Sequence, residues 1–200
     1  MGEVVLARPL VLGSASPRRQ QILSELGLSF TVQPSAAPEP PFEGGNPAEY
    51  AAGLAKIKAE TVLAQCTDPQ VVVLAADTIV VIDGQVLGKP KDDQDALGML
   101  AQLAGRDHTV ITAVELAGQG LGEWRLVERS EVWFRVLNAE DRQRYVATGE
   151  GVDKAGAYAI QGIGSGLVER VSGSYSNVVG LPASQTIDLL RSAGVLAQWP

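Results

Sequence analysis

The sequence predicts an α/β fold in which helices pack against a β-sheet, and three observations support this class. Helix and strand signals alternate along the chain, which is typical of α/β proteins. The 200 residues are enough to bury most of their apolar surface in one domain. Hydrophobic residues make up 46% and charged residues 20%, as in ordinary globular proteins. Because we see no internal repeat and no clear linker, we expect a single domain over residues 1–200.

The first strand and the first helix meet in the segment LVLGSASPRRQQIL, residues 10–23. The apolar run ends near Gly13, Ser16 can cap the following helix, Pro17 suits its first position and Gly27 ends it. A short strand, SFTV, comes next and leads into a loop.

That loop, QPSAAPEPPFEGG, is rich in proline and is long enough to act as a lid or as the edge of a cleft. Asn46 and Glu49 around Pro47 resemble a capping box, which predicts a second helix that runs to about Gln65.

A long apolar run, VVVLAADTIVVIDGQVLG, predicts a buried part of the sheet. We expect a strand, an interruption at Asp77 and Thr78, and then a hairpin that turns at Asp83–Gly84. The segment DDQDALGMLAQLAG predicts a helix with acidic residues at its start and Gly105 after its end.

The second half of the chain continues the alternation. HTVITAVELAG and EWRLVERSEVWFRVL predict two strands, the latter with alternating charged and apolar side chains. NAEDRQRYVATG predicts a short capped helix, and a glycine-rich stretch then allows close backbone approach or sharp turns. ASQTIDLLRSAG predicts a last helix that packs on the sheet.

Charge and cysteine content exclude several classes of protein. The formal net charge is −7, so a general nucleic-acid binder is disfavoured and any bound anion must meet a local cluster of Lys and Arg. The single cysteine, Cys66, cannot form an internal disulfide, and we interpret it as an inert thiol. The N-terminus lacks a secretory pattern and no apolar run approaches the length of a membrane span, so we expect a cytoplasmic protein without a membrane partner.

Two adjacent cations, Arg18 and Arg19, lie in the first turn of the first predicted helix, where the helix dipole is already positive. Ser14, Ser16 and the helix start can offer hydroxyls and backbone N–H groups to a phosphate, and the arginines add two donor forks. Pairing with a surface acid such as Glu25 explains the arginines equally well. The segment has no G-x-x-x-x-G-K pattern, which disfavours a P-loop nucleotidase.

Asp77 is the sharpest single signal, because two apolar runs bracket it in a buried strand. A carboxylate there is costly unless it meets a metal ion, a cation or several donors. It could cap nearby amides in a bulge, with the help of Thr78. We favour a functional interpretation, since a carboxylate beside a phosphate site can hold a divalent ion or take a proton from water.

Other polar residues are ambiguous when each is taken alone. Lys89 in LGKP is stiffened by its Gly and Pro neighbours, but most lysines are exposed. Lys58 could belong to a solvated helix face, and Glu39 to an ordinary polar loop. Gln161 could contact a base edge or satisfy strand ends. His108 heads a strand without a second His or Cys partner, which indicates a structural imidazole.

Taken together, these blocks resemble the Maf family of nucleoside triphosphate pyrophosphatases. The resemblance rests on GSASPRRQQIL, on AADTIVV with VLGKP, on GRDHTVITAV, and on DKAGAYAIQG with GSYSNVVGLP, in the family's order and spacing over nearly the whole chain. Within the family, SPRR, ADT and YAIQG are similar to the branch that acts on dTTP and UTP. The resemblance implies an elongated mixed β-sheet with flanking helices and two lobes around a cleft. It also implies a homodimer.

The resemblance also implies roles for individual residues. Asp77 matches the family's proton acceptor, and Glu39 is the candidate for a loop carboxylate that joins it at the metal. SAAPEPPF departs from the family's usual Asp-Glu pair, and Gly53 stands where an arginine is common. The positions near the triphosphate are matched by Arg19, Lys58 and Lys89, and those that influence base choice by Arg18, Thr78 and Gln161.

The implied reaction is attack of water on the α-phosphorus of a nucleoside triphosphate, which releases pyrophosphate and leaves the monophosphate. Mg²⁺ or Mn²⁺, Lys and Arg can neutralise the charge on the phosphoryl group and on the leaving pyrophosphate. A housecleaning role against modified pyrimidine nucleotides and a link to division arrest follow from the same resemblance. Two alternatives stay open: a nucleotide-binding division regulator without turnover, and a pyrophosphatase specific for 7-methyl-GTP.

Overall fold

The computed structural model describes residues 3–200. Its β-strands are β1 (Val5–Leu6), β2 (Leu10–Leu12), β3 (Thr31–Val32), β4 (Val72–Ile82), β5 (Gln85–Leu87), β6 (Asp107–Gly118), β7 (Trp124–Phe134), β8 (Val168–Ser172) and β9 (Leu196–Gln198). Its α-helices are α1 (Pro17–Glu25), α2 (Pro47–Leu63), α3 (Asp93–Leu103), α4 (Ala139–Val146), α5 (Tyr175–Val179) and α6 (Ala183–Ser192). Two 3₁₀ helices, Ala155–Ala157 and Gly162–Leu167, lie in the glycine-rich stretch. None of the helices within residues 3–200 has the length and apolar content needed to cross a membrane.

Seven strands form one mixed sheet, in the order β3-β2-β4-β6-β7-β8, with β5 paired to β4 beside this path. β2 runs parallel to β3 and β4, whereas the pairs β4–β6, β6–β7, β7–β8 and β4–β5 are antiparallel. β1 and β9 form a separate two-stranded antiparallel sheet. The expected α/β class, a mixed sheet with flanking helices, is confirmed.

One edge of β4 is covered only at its two ends. β2 pairs with residues 72–74 and β5 pairs with residues 80–82, while β6 covers the opposite edge of β4 from residue 72 to residue 81. Among the described residues, no strand pairs with the first edge between residues 75 and 79. This open edge defines the floor of a cleft, with Asp77 and Thr78 at its centre.

The two faces of the sheet bury different cores. Helix α2 is rich in alanine on its inner side, so that it packs closely on β4 and β6, where Val73, Ala75 and Ile79 face it. The opposite face carries the larger core, which includes Leu74, Val114 and the other helices' apolar side chains. Since successive side chains of a strand point to opposite faces, Asp77 lies on the α2 face and Thr78 on the other.

The expected interruption at Asp77 and Thr78 is wrong. β4 is continuous through both residues, because they pair in register with Ala113 and Thr112 of β6. Their polar side chains are tolerated inside the strand because this stretch of β4 borders the open cleft. The hairpin turn at Asp83–Gly84 is confirmed, with positive φ at both residues as a tight two-residue turn requires.

Two helix caps also differ from expectation. Ser16 occupies the N-cap of α1 but its side chain accepts no capping bond; instead Ser14 Oγ accepts from the backbone N–H of Ser16 at 3.3 Å. Asn46 accepts from the N–H of Ala48 at 3.0 Å, without the return bond from Glu49 that a capping box needs. A complete box occurs at the start of α4, where a capped helix was predicted.

Candidate active site

The cleft at the open edge of β4 contains a cavity of about 450 Å³, within the usual range for small-molecule sites. Nine of the ten predicted site residues line it: Ser14, Ser16, Arg18, Arg19, Glu39, Lys58, Asp77, Thr78 and Lys89. Five basic side chains face three acidic ones there, once Lys154 and Asp153 are included. In a chain whose net charge is −7, this cleft is a local concentration of cations suited to an anionic ligand.

Arg19 is held by three acceptors of the protein. Its Nε donates to the carbonyl of Gly180 at 2.9 Å, its Nη1 to Ser14 Oγ at 3.0 Å and its Nη2 to Thr78 Oγ1 at 3.1 Å. A guanidinium has five N–H donors, so two remain for a ligand. Burial lowers the pKa of Arg19, and the negative charge of Asp77 opposes that shift. The side chain is therefore a rigid cation with a two-donor fork, which suits a phosphate.

The hydroxyl of Ser14 is arranged in a complementary way. Its oxygen accepts from the N–H of Ser16 and from Arg19, which leaves its own hydrogen available. Because no side chain of the described residues caps the start of α1, the amide groups of its first turn lack a side-chain partner among them. Hydroxyl, amides and guanidinium converge at one helix start, the arrangement that binds phosphate in many proteins.

Arg18 lies beside this group, half-buried, and makes no hydrogen bond to the residues the structure describes. Burial lowers its pKa, and the nearby Asp153, Tyr145 and Glu150 oppose the shift. The alternative pairing with Glu25 does not form: Glu25 instead accepts from Gln21 at 2.8 Å. Arg18 is thus a charged fork at the cleft that is not engaged by a partner.

Asp77, Lys58 and Glu39 form a carboxylate–ammonium–carboxylate cluster. Lys58 Nζ, on α2, lies 2.6 Å from Asp77 Oδ1 and 2.6 Å from Glu39 Oε1. The Asp77 and Lys58 side chains are largely buried, while 46% of the Glu39 side chain is exposed. Burial raises the pKa of Glu39, but the hydrogen bond and charge of Lys58 outweigh it and leave that pKa below its ordinary value.

The same cluster fits a divalent cation. No group of three or more His, Cys, Asp or Glu that could hold a metal exists within residues 3–200, so a closed protein cage is absent there. Mg²⁺ often takes only one or two carboxylates and completes its shell with water and substrate phosphates. Asp77 and Glu39 already converge on one cation, the ammonium of Lys58, and this shows that the two carboxylates can face a shared positive charge.

The proline-rich loop that carries Glu39 is fastened to α2 by an aromatic residue. Tyr50 donates its hydroxyl to the carbonyl of Pro40 at 2.8 Å, and its ring lies 5.2 Å from that of Phe42. Burial raises the pKa of Tyr50, and the charges of Asp77 and Glu39 raise it further. The loop lines the cleft, which agrees with the prediction that it forms a cleft edge.

Lys89 and Lys154 also line the cavity. Lys89 follows β5 and is exposed, and the neighbouring Gly88 carbonyl accepts from the N–H of Gly156 at 3.0 Å. The Lys154 side chain is 16% exposed and pairs with Asp153. The hydrogen bond between Gly88 and Gly156 joins the segment after β5 to the glycine-rich stretch, and both lysines face the cavity.

Gln161 is the predicted site residue that the structure does not bring to the cavity wall. The wall passes through Tyr158, Ala159 and Ile160 and leaves Gln161 half-buried at the start of a 3₁₀ helix. Glu150 fixes this turn, since its carboxylate accepts from the amides of Ile163 at 2.9 Å and Gly164 at 2.7 Å.

His108 and Cys66 take no part in the cleft. His108 is 2% exposed, its Nε2 lies 2.8 Å from the hydroxyl of Tyr158, and its ring packs edge-on against Phe134. Burial lowers the pKa of His108 to about 4, so the imidazole is neutral. Cys66 is a free thiol that donates to the carbonyl of Val62 at 3.4 Å. The structural role predicted for His108 is confirmed, and the inertness of the Cys66 thiol stays a prediction.

Sequence reasoning did not single out Tyr50, Asp153, Lys154 or Gly180, all of which line the cavity. The signal for three of them was present, because Asp153 and Lys154 open the block DKAGAYAIQG and Gly180 lies in GSYSNVVGLP. Tyr50 lies on a helix face with no distinguishing pattern, and only the folded loop shows what it contacts.

Comparisons with known proteins identify the family of the chain. A family model described as Maf-like protein matches residues 9–193. A Myxococcus xanthus protein named dTTP/UTP pyrophosphatase is 47% identical over 190 residues, 95% of each chain. Proteins of the same name from Shewanella oneidensis and Moorella thermoacetica are 48% and 49% identical over 94% and 93% of this chain, and 99% and 95% of their own.

Among solved structures, the Ham1 protein of Staphylococcus aureus superposes with a TM-score of 0.44 at 14% identity, over 64% of this chain and 72% of that one.

Proposed function

Since the chain belongs to the Maf family, we propose that it hydrolyses dTTP and UTP, and modified pyrimidine nucleotides of the same shape, to the nucleoside monophosphate and pyrophosphate. The observation that carries this proposal is the open edge of β4, where Asp77 faces a cavity with a surplus of cations. A triphosphate supplies the negative charge that this cavity lacks, and a carboxylate among cations can take a proton from water.

Asp77 acts as the general base. Its Oδ1 is engaged by Lys58, and Oδ2 has no hydrogen-bond partner among the described residues, so Oδ2 is the oxygen that accepts the proton of the attacking water. The hydroxide equivalent attacks the α-phosphorus, and the bond to the bridging oxygen breaks, which releases pyrophosphate. In the nucleotide-free protein Lys58 holds the carboxylate in this orientation.

The triphosphate lies against the start of α1. Arg19 contributes the two N–H groups that the protein leaves unused, and Ser14 and Ser16 contribute hydroxyls. Lys58 and Lys89, which also line the cavity, neutralise the charge that develops on the leaving pyrophosphate. Lys154 adds a further cation on the Lys89 side.

Base choice depends on Arg18 and Gln161. Arg18 supports this role because it lies at the cleft with no hydrogen bond to the described residues. Gln161 is adjacent to the wall residue Ile160, and it must turn toward the cavity to contact a base edge. We infer that these two residues favour pyrimidines over 7-methylguanine.

Asp77 and Glu39 would hold a divalent cation, Mg²⁺ or Mn²⁺. Such an ion would withdraw negative charge from the phosphates and lower the pKa of water near Asp77. The ammonium of Lys58 lies between the two carboxylates, so it must shift toward the phosphates when an ion binds.

Three broader expectations accompany this function. The match over residues 9–193 supports one domain, and a nucleotide substrate supports a cytoplasmic location. A homodimer, implied by the family resemblance, remains a prediction that light scattering would check. No role in division arrest or contact with nucleic acid is needed to explain the cleft.

The test is a pyrophosphate-release screen of the purified protein against dTTP, UTP, CTP, GTP and 7-methyl-GTP, with Mg²⁺ or Mn²⁺. We expect dTTP and UTP to be the best substrates and a chelator to abolish release. Saturable nucleotide binding without pyrophosphate release would instead identify a regulator without turnover. Preference for 7-methyl-GTP would contradict the roles of Arg18 and Gln161.

A further inference from the structure

Two threonines link the phosphate-binding arginine to the interior of the sheet. Thr78 of β4 and Thr112 of β6 are directly opposite in the strand register, on the face away from α2. Their Oγ1 atoms are 2.9 Å apart, and Thr112 is completely buried and absent from the cavity wall. A pair of hydroxyls inside an otherwise apolar face needs a defined set of partners.

The direction of each hydrogen bond in this chain follows from counting hydrogens. Thr112 donates its only hydroxyl hydrogen to the carbonyl of Asn177, 3.0 Å away. Thr78 must therefore donate its hydrogen to Thr112 Oγ1. The oxygen of Thr78 then accepts from Arg19 Nη2 at 3.1 Å. Each residue in this series of hydrogen bonds therefore donates to the next, from Arg19 through Thr78 and Thr112 to Asn177.

The series of hydrogen bonds returns to Arg19 through Gly180. The N–H of Gly180 donates to the carbonyl of Asn177 at 3.0 Å, and the carbonyl of Gly180 accepts from Arg19 Nε at 2.9 Å. Asn177 is itself fixed, because its Nδ2 donates to the Val110 carbonyl at 3.1 Å and to Ser130 Oγ at 3.0 Å. These hydrogen bonds thus form a closed ring that holds the Arg19 guanidinium at both Nε and Nη2.

We infer that Thr78 and Thr112 are positioning residues that hold Arg19 in register with the triphosphate. The inference rests on the proposed function, in which Arg19 binds phosphate. The Thr78 hydroxyl donates its only hydrogen to Thr112 and accepts from Arg19 with one of its two lone pairs. Thr78 accordingly acts on the phosphate end of the substrate through Arg19, whereas the family resemblance assigns it an influence on base choice.

Thr112→Val tests this because it removes the buried hydroxyl without touching the cavity wall. With its acceptor gone, Thr78 can turn its hydrogen toward the Gly180 carbonyl, 3.5 Å away, and its oxygen is no longer fixed toward Arg19. We expect the Kd of non-hydrolysable α,β-imido-dTTP with Mg²⁺ to rise about three- to tenfold, as for one lost hydrogen bond. The Kd of α,β-imido-GTP should rise by the same factor, and Thr112→Ser should restore both.

Thr109→Val is the matched control, since it makes the same change on the same strand. Thr109 lies on the α2 face and its hydroxyl contacts Glu131, away from the cavity, so Kd should not change. Thr78→Val and Thr78→Ser carry the test if Thr112→Val does not fold. We expect the valine variant to raise Kd about tenfold or more, because it leaves a charged donor unpaired, and the serine variant to bind normally.

An unchanged Kd in Thr112→Val, accompanied only by a lower melting temperature, would overturn the inference, because the threonine pair would then be structural alone. A change in the ratio of the two analogues' Kd values in Thr78→Val would overturn it in favour of base selection. The Kd values of the two analogues measure binding and not turnover. A failure of this inference can therefore be told apart from a failure of the proposed reaction, which the wild-type pyrophosphate assay detects.

Discussion

Removal of the ammonium of Lys58 should strengthen metal binding by the nucleotide-free protein. Lys58→Met keeps an unbranched side chain with good helix propensity on α2 but deletes the positive charge between Asp77 and Glu39. Two carboxylates then face each other without the cation that both now contact. A divalent cation is the natural replacement, so its affinity should rise in this variant.

The size of the effect follows from the geometry. The two carboxylate oxygens are each 2.6 Å from the same nitrogen, so they are at most 5.2 Å apart, twice that distance. Two unit charges at such a separation repel by about 3 kcal/mol at an effective dielectric constant near 20. Because nearly half of the Glu39 side chain is exposed, screening reduces this to roughly 1.5–3 kcal/mol. We therefore expect Mn²⁺ to bind about ten- to a hundredfold more tightly.

Calorimetric titration with Mn²⁺, or the loss of its free electron-paramagnetic signal, measures this affinity without any turnover. Lys56→Met is the matched control: it removes a lysine from the same helix whose partners within residues 3–200 are Glu60 and Glu123, each at 3.8 Å on the surface. Its Mn²⁺ affinity should stay at the wild-type value. Equal or weaker Mn²⁺ binding in Lys58→Met would refute the assignment of Asp77 and Glu39 as the metal ligands.

Three further predictions concern the base, the specificity and the pH dependence. Asp77→Asn should bind dTTP but lose pyrophosphate release by at least ~10²-fold, as expected when a general base is removed. Arg18→Ala should change the ratio of kcat/KM for dTTP and GTP, because its guanidinium is free to contact the base. His108 has a pKa of about 4 in the folded protein against 6.5 in the unfolded chain, so the unfolded chain binds the proton first as the pH falls. The free energy of unfolding should therefore drop by up to about 3 kcal/mol between pH 6.5 and pH 4 and stay constant with respect to this group above pH 6.5. Urea unfolding at pH 6.5 and at pH 4 measures this drop in the free energy of unfolding. The contribution of His108 should be present in the wild type and absent from His108→Gln.

A specific result would contradict each of these three predictions. Undiminished pyrophosphate release from Asp77→Asn would require another base. A dTTP-to-GTP ratio that Arg18→Ala leaves unchanged would place base recognition elsewhere in the cleft. Parallel pH profiles for wild type and His108→Gln would mean that the imidazole is not held neutral by burial.

The order of the elements was predictable because local signals agree with the tertiary structure over most of the chain. The hairpin at Asp83–Gly84 and the helix that begins after Asp92 depend on short-range turn and cap chemistry, which the residues themselves encode. The interruption at Asp77 was wrong for a non-local reason. A polar pair inside an apolar run suggests a break, yet β6 pairs with β4 along its length and keeps the strand intact.

The members of the site were largely predictable, but their connections were not. Seven of the nine predicted residues that line the cavity lie in the motif blocks, whereas Lys58 and Glu39 lie outside them. Lys58 is 19 positions from each of its two carboxylate partners, Asp77 and Glu39, and Thr78 is 34 positions from Thr112. Such pairings depend on strand register and helix packing, which no local pattern specifies.

Hydrolysis of dTTP in ¹⁸O-enriched water, with Mg²⁺ and the wild-type protein, tests the central claim most directly. If Asp77 directs water to the α-phosphorus, mass spectrometry will find the heavy oxygen in dTMP and none in the pyrophosphate. Label in pyrophosphate, or release of orthophosphate in its place, would contradict the account, because water would then attack a different phosphorus from the one this cleft presents to its carboxylate.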